Sequence, residues 1–128
     1  MGTRSLTFVY DENTRTRVLC MYRQFDGYPS GHGRELADFL GGFDAVVNGM
    51  RIGDTRKIAN GMGCLAAQLV SNFKVEAGGF YLYPTNTKDA GQEYEYHVYS
   101  DKVIVKDDSG AKLFGGCWKE FSEFCKDE

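Results

Sequence analysis

The segment "RQFDGYPSGHGREL", Arg23 to Leu36, concentrates residue types that bind and react. Arg23 and Arg34 bracket it, and a guanidinium presents a planar fork of donors that matches phosphate or carboxylate. Ser30, His32 and Gly33 lie just ahead of a helical pattern, whose first amides have no partner within the helix and so form a ready anion site. Phe25 and Tyr28 offer flat faces for stacking on a ring, and Asp26 offers an acceptor for a ribose or amide group. Asn60 and Gln92 are carboxamides suited to reading the edges of such a ring. The chemistry implied is binding of a small anionic ligand, above all a nucleotide or nucleotide-derived signal. Neither GxxxxGK[ST] nor GxGxxG is present. The structural alternative is a loop in which Ser30 caps the helix and Asp26 ties its own turn.

Catalysis has fewer supports. His32 is the natural acid or base of the loop, because imidazole titrates near neutrality. In "QEYEYHVY", strand parity places Glu93, Glu95, His97 and Tyr99 on one face, and Tyr94, Tyr96 and Val98 on the other. Glu95 and His97 would then orient one another for acid–base work, as in a small hydrolase or transferase, or share a polar outer face. Cys64 with either histidine is a weaker nucleophile pairing, since no cysteine-enzyme signature surrounds it. No cofactor is implied and no metal site is expected, because two residues do not make one and the cysteines lack zinc spacing. The balance leans toward binding without turnover, in which Arg23→Ala would weaken ligand affinity and leave the fold intact.

These residues need a frame to hold them. The chain has 128 residues, 42% of them hydrophobic and 14% aromatic, which suits one compact domain over residues 1–128. A net charge of −3 argues against coating nucleic acid, which requires clustered cations to displace counterions. Two basic groups stand out, Arg4 with Arg15 and Arg17, and Arg51 with Arg56 and Lys57; both read as solvated edges. Four cysteines without CxxC pairing fit reduced thiols in a cytoplasm. Cys117 and Cys125, eight positions apart on a helix, would lie about 12 Å apart, beyond disulfide reach. No apolar leader or membrane-length run is evident, so no membrane partner is expected.

The pattern begins with a hairpin, Leu6–Asp11 and Arg17–Phe25, the second strand apolar on both faces. Leu36, Phe39, Leu40 and Phe43 mark an amphipathic helix stopped by Gly41-Gly42. Ile58, Met62, Leu65, Leu69 and Phe73 mark a longer one, capped by Asp54 or Thr55, or starting later near Asn60 because of "NGMG". The last third reads as a meander, "GGFYLYP", "EYEYHVYS", "KVIVKDD" and "AKLFGG", closed by a helix with Trp118, Phe121, Phe124 and Cys125 on one side. The order ββααβββ(β)α predicts an α+β fold: an antiparallel sheet of five or six strands with two or three helices on one face.

The stretches "GTRSLTFVYDE", "CMYRQFDGYPSGHGRELADFL", "NGMGCLAAQLV" and "GQEYEYHVY" together resemble a family of small bacteriophage and bacterial proteins to which no biochemical role is attached. The resemblance spans nearly the whole chain and implies a cytoplasmic setting, that of the host for a phage-encoded chain. It supplies no site residues. In such a setting, two roles fit this size: anti-defence sequestration of host immune signalling nucleotides, and direct inhibition of a host protein through an aromatic hot-spot loop. Exposed aromatics in a small protein also imply a homo-oligomer.

Overall fold

A computed structural model describes residues 2–47 and 58–127. The Asp54 or Thr55 cap and the Arg51, Arg56, Lys57 cluster lie outside the described residues.

Strands β1 (Ser5–Tyr10) and β2 (Arg17–Arg23) form the expected antiparallel hairpin. Its turn is fixed by the Asp11 carboxylate, which accepts the N–H groups of Asn13 and Thr14. A single π-helical turn, Pro29–Gly33, then runs directly into α1 (Arg34–Gly41). Next come β3 (Ala45–Val47), β4 (Ile58–Asn60), α2 (Gly61–Phe73), β5 (Phe80–Leu82), β6 (Tyr94–Val98), β7 (Val103–Asp107), β8 (Lys112–Gly116) and α3 (Trp118–Lys126).

The fold is α+β. Six strands form one mixed sheet in the order β5-β2-β1-β6-β7-β8, and β3 and β4 form a separate parallel pair. Two details differ from the expected meander. β5 pairs with β2 at the far edge, so only β6, β7 and β8 are a meander. The chain between β5 and β6 crosses the sheet and brings β6 back parallel to β1.

Parity along each strand builds a core on each face of this sheet. Val9, Met21, Tyr96, Val98 and Val105 point toward the helices, where they pack with Leu36 and Leu40 of α1, Met62, Leu65 and Leu69 of α2, and Phe121 of α3. Leu6, Phe8, Tyr10, Cys20 and Tyr22 point the other way and form a second, smaller cluster with Ala90 and Tyr99. The face read as a polar outer surface is therefore covered in part, by the crossing segment 83–93. Arg17 fastens that segment by donating to the carbonyls of Thr85 and Thr87 at 3.2 and 3.4 Å.

Of the two starts considered for the long helix, the later one is observed. Asn60 is the residue before α2, and Gly61 takes a φ of +83°, which glycine adopts without strain. A Cβ at Gly61 would meet Glu12 Oε1 at 2.9 Å. Glu12 uses that space: its Oε2 accepts the Met62 N–H at 2.8 Å, placing a carboxylate at the positive end of α2. The glycine at this position thus leaves room for the Glu12 side chain.

Candidate functional site

The loop from Arg23 to Leu36 is held from within. Asp26, at φ +61°, turns the chain so that its carbonyl accepts the His32 N–H at 2.7 Å. Tyr28 O accepts from Gly31 and Gly33, and Gly31 O accepts from Arg34. The amides of residues 32–34 are thus spent, because the π-helical turn runs into α1 with no free helix start between them. The anion cradle expected at those amides is closed. Ser30 does not cap either helical segment: Tyr28 and Gly33 hold the cap positions, neither with a side-chain bond. Gly33 is pressed against α3, where a Cβ would meet Cys125 Sγ at 2.9 Å.

His32 lies inside the helix-side core, fully buried. Arg23 Nη1 contacts its Nδ1 at 3.2 Å, and Thr7 Oγ1 lies 2.7 Å from its Nε2. A guanidinium only donates, so Nδ1 must be bare and Nε2 must carry the proton it gives to Thr7. Burial and then the Arg23 charge push the imidazole pKa down to about 3. With both nitrogens occupied and no room for a further charge, His32 is removed from the acid–base role expected of it. Phe73 and Tyr96 pack against its ring at 5.2 and 5.0 Å.

Arg23 joins loop, strand and helix. Its Nε donates to Phe25 O at 2.6 Å, its Nη2 pairs with Glu35 Oε2 at 3.1 Å, and its guanidinium lies 4.9 Å over the Phe80 ring. The partner it takes in α1 is Glu35, while Arg34 stands exposed. Phe25 and Tyr28 are exposed, the latter donating to Asp26 Oδ1 at 3.3 Å. Asn60 sits at the start of α2, and Gln92 lies on the opposite face of the sheet. The ten residues proposed to line a ligand site are therefore not gathered into one pocket.

What Arg23 does border is a cleft of about 450 Å³ between α1, the end of α2 and β5. Phe39, Phe73 and Phe80 line it, with Arg23, Glu35, Asp38 and Asn72 as its polar groups. A second cleft of about 350 Å³ shares Phe73, Val75 and Phe80 and is bordered by Phe25.

The opposite face holds the other histidine. Tyr10 Oη and His97 Nδ1 are 2.6 Å apart, and His97 Nε2 and Glu95 Oε1 are 3.0 Å apart. An ionised carboxylate only accepts, so in the neutral imidazole Nε2 bears the proton and Nδ1 accepts from Tyr10. Arg17 Nε donates to Tyr10 Oη at 3.1 Å, and Gln92 Nε2 donates to Glu95 Oε2 at 3.0 Å. The bond from His97 holds the Glu95 carboxyl below its ordinary range. Burial raises the Tyr10 hydroxyl despite Arg17. Sequence parity found Glu95 and His97. It missed Tyr10 and Arg17, which arrive through the parallel register that sets Phe8 beside His97 and the hairpin register that sets Tyr10 beside Arg17.

Cys64 is engaged and Cys20 is buried. Cys64 donates to Gln68 Oε1 at 3.5 Å, and burial pushes the Cys20 thiol up to about 11. Among the described residues, no group of three or more His, Cys, Asp or Glu could hold a metal ion, and no helix is long and apolar enough to cross a membrane. No protein-family model, curated protein or solved structure matches the chain.

Proposed function

We propose that the protein binds a small ring-bearing ligand, a nucleotide or nucleotide-derived signal, in the cleft beside Arg23 and releases it unchanged. The observation that carries this reading is the make-up of the cleft: three phenylalanine rings beside one guanidinium, two carboxylates and one carboxamide. Aromatic walls suit a planar base, and Glu35, Asp38 and Asn72 suit its amino and amide edges. Three of the five Arg23 donors are spent on the protein. The remaining two are the donors proposed for a carbonyl or anionic oxygen of the ligand. The acidic rim directs phosphate away from Glu35 and Asp38, so the base enters and the anionic end remains outside. For a phage-encoded chain, as the resemblance implies, the ligand is a host signalling nucleotide.

The test is a thermal-shift panel of nucleosides and of mono-, di- and cyclic nucleotides. At a hundredfold excess over Kd, a ligand confined to the folded state adds about 2.7 kcal/mol of stability. Asp38→Ala and Asn72→Ala, both exposed, are expected to weaken binding about tenfold with the melting temperature of the free protein unchanged. A flat panel sinks the reading. It would advance the protein-partner alternative, favoured by exposed Phe25, Val75 and Leu82 around β5; a host-lysate pull-down then decides whether that partner exists.

A further inference from the structure

The sheet face opposite the cleft carries a second arrangement. Tyr10, His97 and Glu95 stand in the order nucleophile, base and orienting carboxylate, with separations of 2.6 and 3.0 Å. One cation touches the hydroxyl, and two more lie over the ring stacked on Tyr10. Arg17 lies 3.8 Å over the Phe8 ring and bonds the hydroxyl itself. Arg15 and Lys102 lie 4.6 and 5.2 Å over Tyr99, and the Tyr99 ring stacks on Tyr10 at 4.3 Å. Asp101 lies 3.7 Å from Arg15 in a well-solvated pair, and among the described residues no ion pair engages Arg17 or Lys102. A triad with its carboxylate at one end and Arg17 on the hydroxyl at the other, with Arg15 and Lys102 against the neighbouring Tyr99 ring, suits an electrophile that carries negative charge.

We propose that Tyr10, served by His97 and positioned by Glu95, is the nucleophile of a phosphoryl-transfer centre whose substrate is a phosphate ester held by Arg15, Arg17 and Lys102. In the first step, Tyr10 Oη attacks phosphorus and its proton passes to His97 Nδ1. The bond to the leaving oxygen breaks, and His97 returns the proton to that oxygen to give an alcohol. The phosphotyrosyl bond is then hydrolysed: His97 takes a proton from water, the hydroxide displaces Tyr10, and the phenolate recovers the proton from His97. Glu95 stabilises the imidazolium in each half. The hydroxyl is protonated at rest, as in serine triads, and is activated only as the proton moves. The segment 83–93 covers this face, and its fastening to Arg17 through Thr85 and Thr87 is the contact a substrate must displace.

The probes are p-nitrophenyl phosphate and bis-p-nitrophenyl phosphate with the full chain. The expected result is nitrophenolate release above the uncatalysed rate, with a phosphoryl group trapped on the peptide containing Tyr10. Tyr10→Phe keeps the ring stack but removes the nucleophile, and is expected to lose at least about a hundredfold in kcat and all of the adduct. Glu95→Gln is expected to lower kcat with KM unchanged, which a merely structural role would not do. Nitrogen NMR of the imidazole gives a reading independent of the variants, with the proton on Nε2 and Nδ1 bare. No release by the wild-type chain, release that survives Tyr10→Phe, or a neutral His97 with its proton on Nδ1 would each overturn the proposal.

Discussion

His32 and His97 meet β1 from opposite faces of the sheet. Thr7 of β1 binds one, and Phe8, its neighbour in sequence, stacks on the other at 5.1 Å. Both rings are buried, and each lies within 2.7 Å of a hydroxyl. The difference is the second partner, a guanidinium at His32 and a carboxylate at His97. A cation beside a buried imidazole forbids a further proton, whereas a carboxylate is the neighbour that an imidazolium needs. Burial and a hydroxyl do not make a histidine functional. The charge on its far side decides whether an imidazolium is excluded or supported.

The largest expected break in this contrast is Arg23→Ala. It strips the Nδ1 partner from a fully buried ring and frees Glu35 and Phe25 O, so the cost should be about 2–4 kcal/mol, read by denaturant unfolding. The sequence suggested that this change would leave the fold intact; the bonds Arg23 makes say otherwise.

Second is pH. The folded pKa of His32 is depressed to about 3 from its free value near 6.5. Between those values the unfolded chain binds the proton and the folded chain does not, so stability falls as pH falls. Between pH 7 and pH 5, above the carboxylate range, the His32 share of that loss is about 2 kcal/mol. His32→Gln should flatten that slope, and an unchanged slope would contradict the burial described.

Smaller still is Glu95→Gln. The amide oxygen still accepts from His97, in a partly solvated position, so the stability cost should be about 1 kcal/mol in equilibrium unfolding. A loss as large as that of Arg23→Ala would erase the distinction between the two sites. At the bottom of the scale, Arg34→Ala changes an exposed residue and should shift stability by no more than about 0.5 kcal/mol. That is an eighth or less of the upper figure for Arg23, although the two arginines look alike in the loop sequence.

Much of the frame could be read along the chain because it depends on local periodicity. The hairpin at β1 and β2, the α1 stripe, the buried face of α2 from Met62 to Phe73 and the parity of β6 all follow from side chains that repeat every two or three to four residues. The placement of β5 did not, since a three-residue strand set between Gly78-Gly79 and Pro84 carries no record of its partner. The π-helical turn was equally hidden: "SGHG" reads as a free helix entrance until the carbonyls of Asp26, Tyr28 and Gly31 are seen to occupy its amides.

What the sequence by itself determined is the α+β fold and the short-range pairs, Glu95 with His97 above all, because their spacing within one strand puts both on one face. What only tertiary structure decided is the character of each histidine. Arg23 and Thr7 reach His32, and Tyr10 reaches His97, across separations of nine, twenty-five and eighty-seven residues. The physical reason is that a charge or hydroxyl acts through the few ångströms around it. Strand register and crossover, which no local spacing encodes, set which groups come that close.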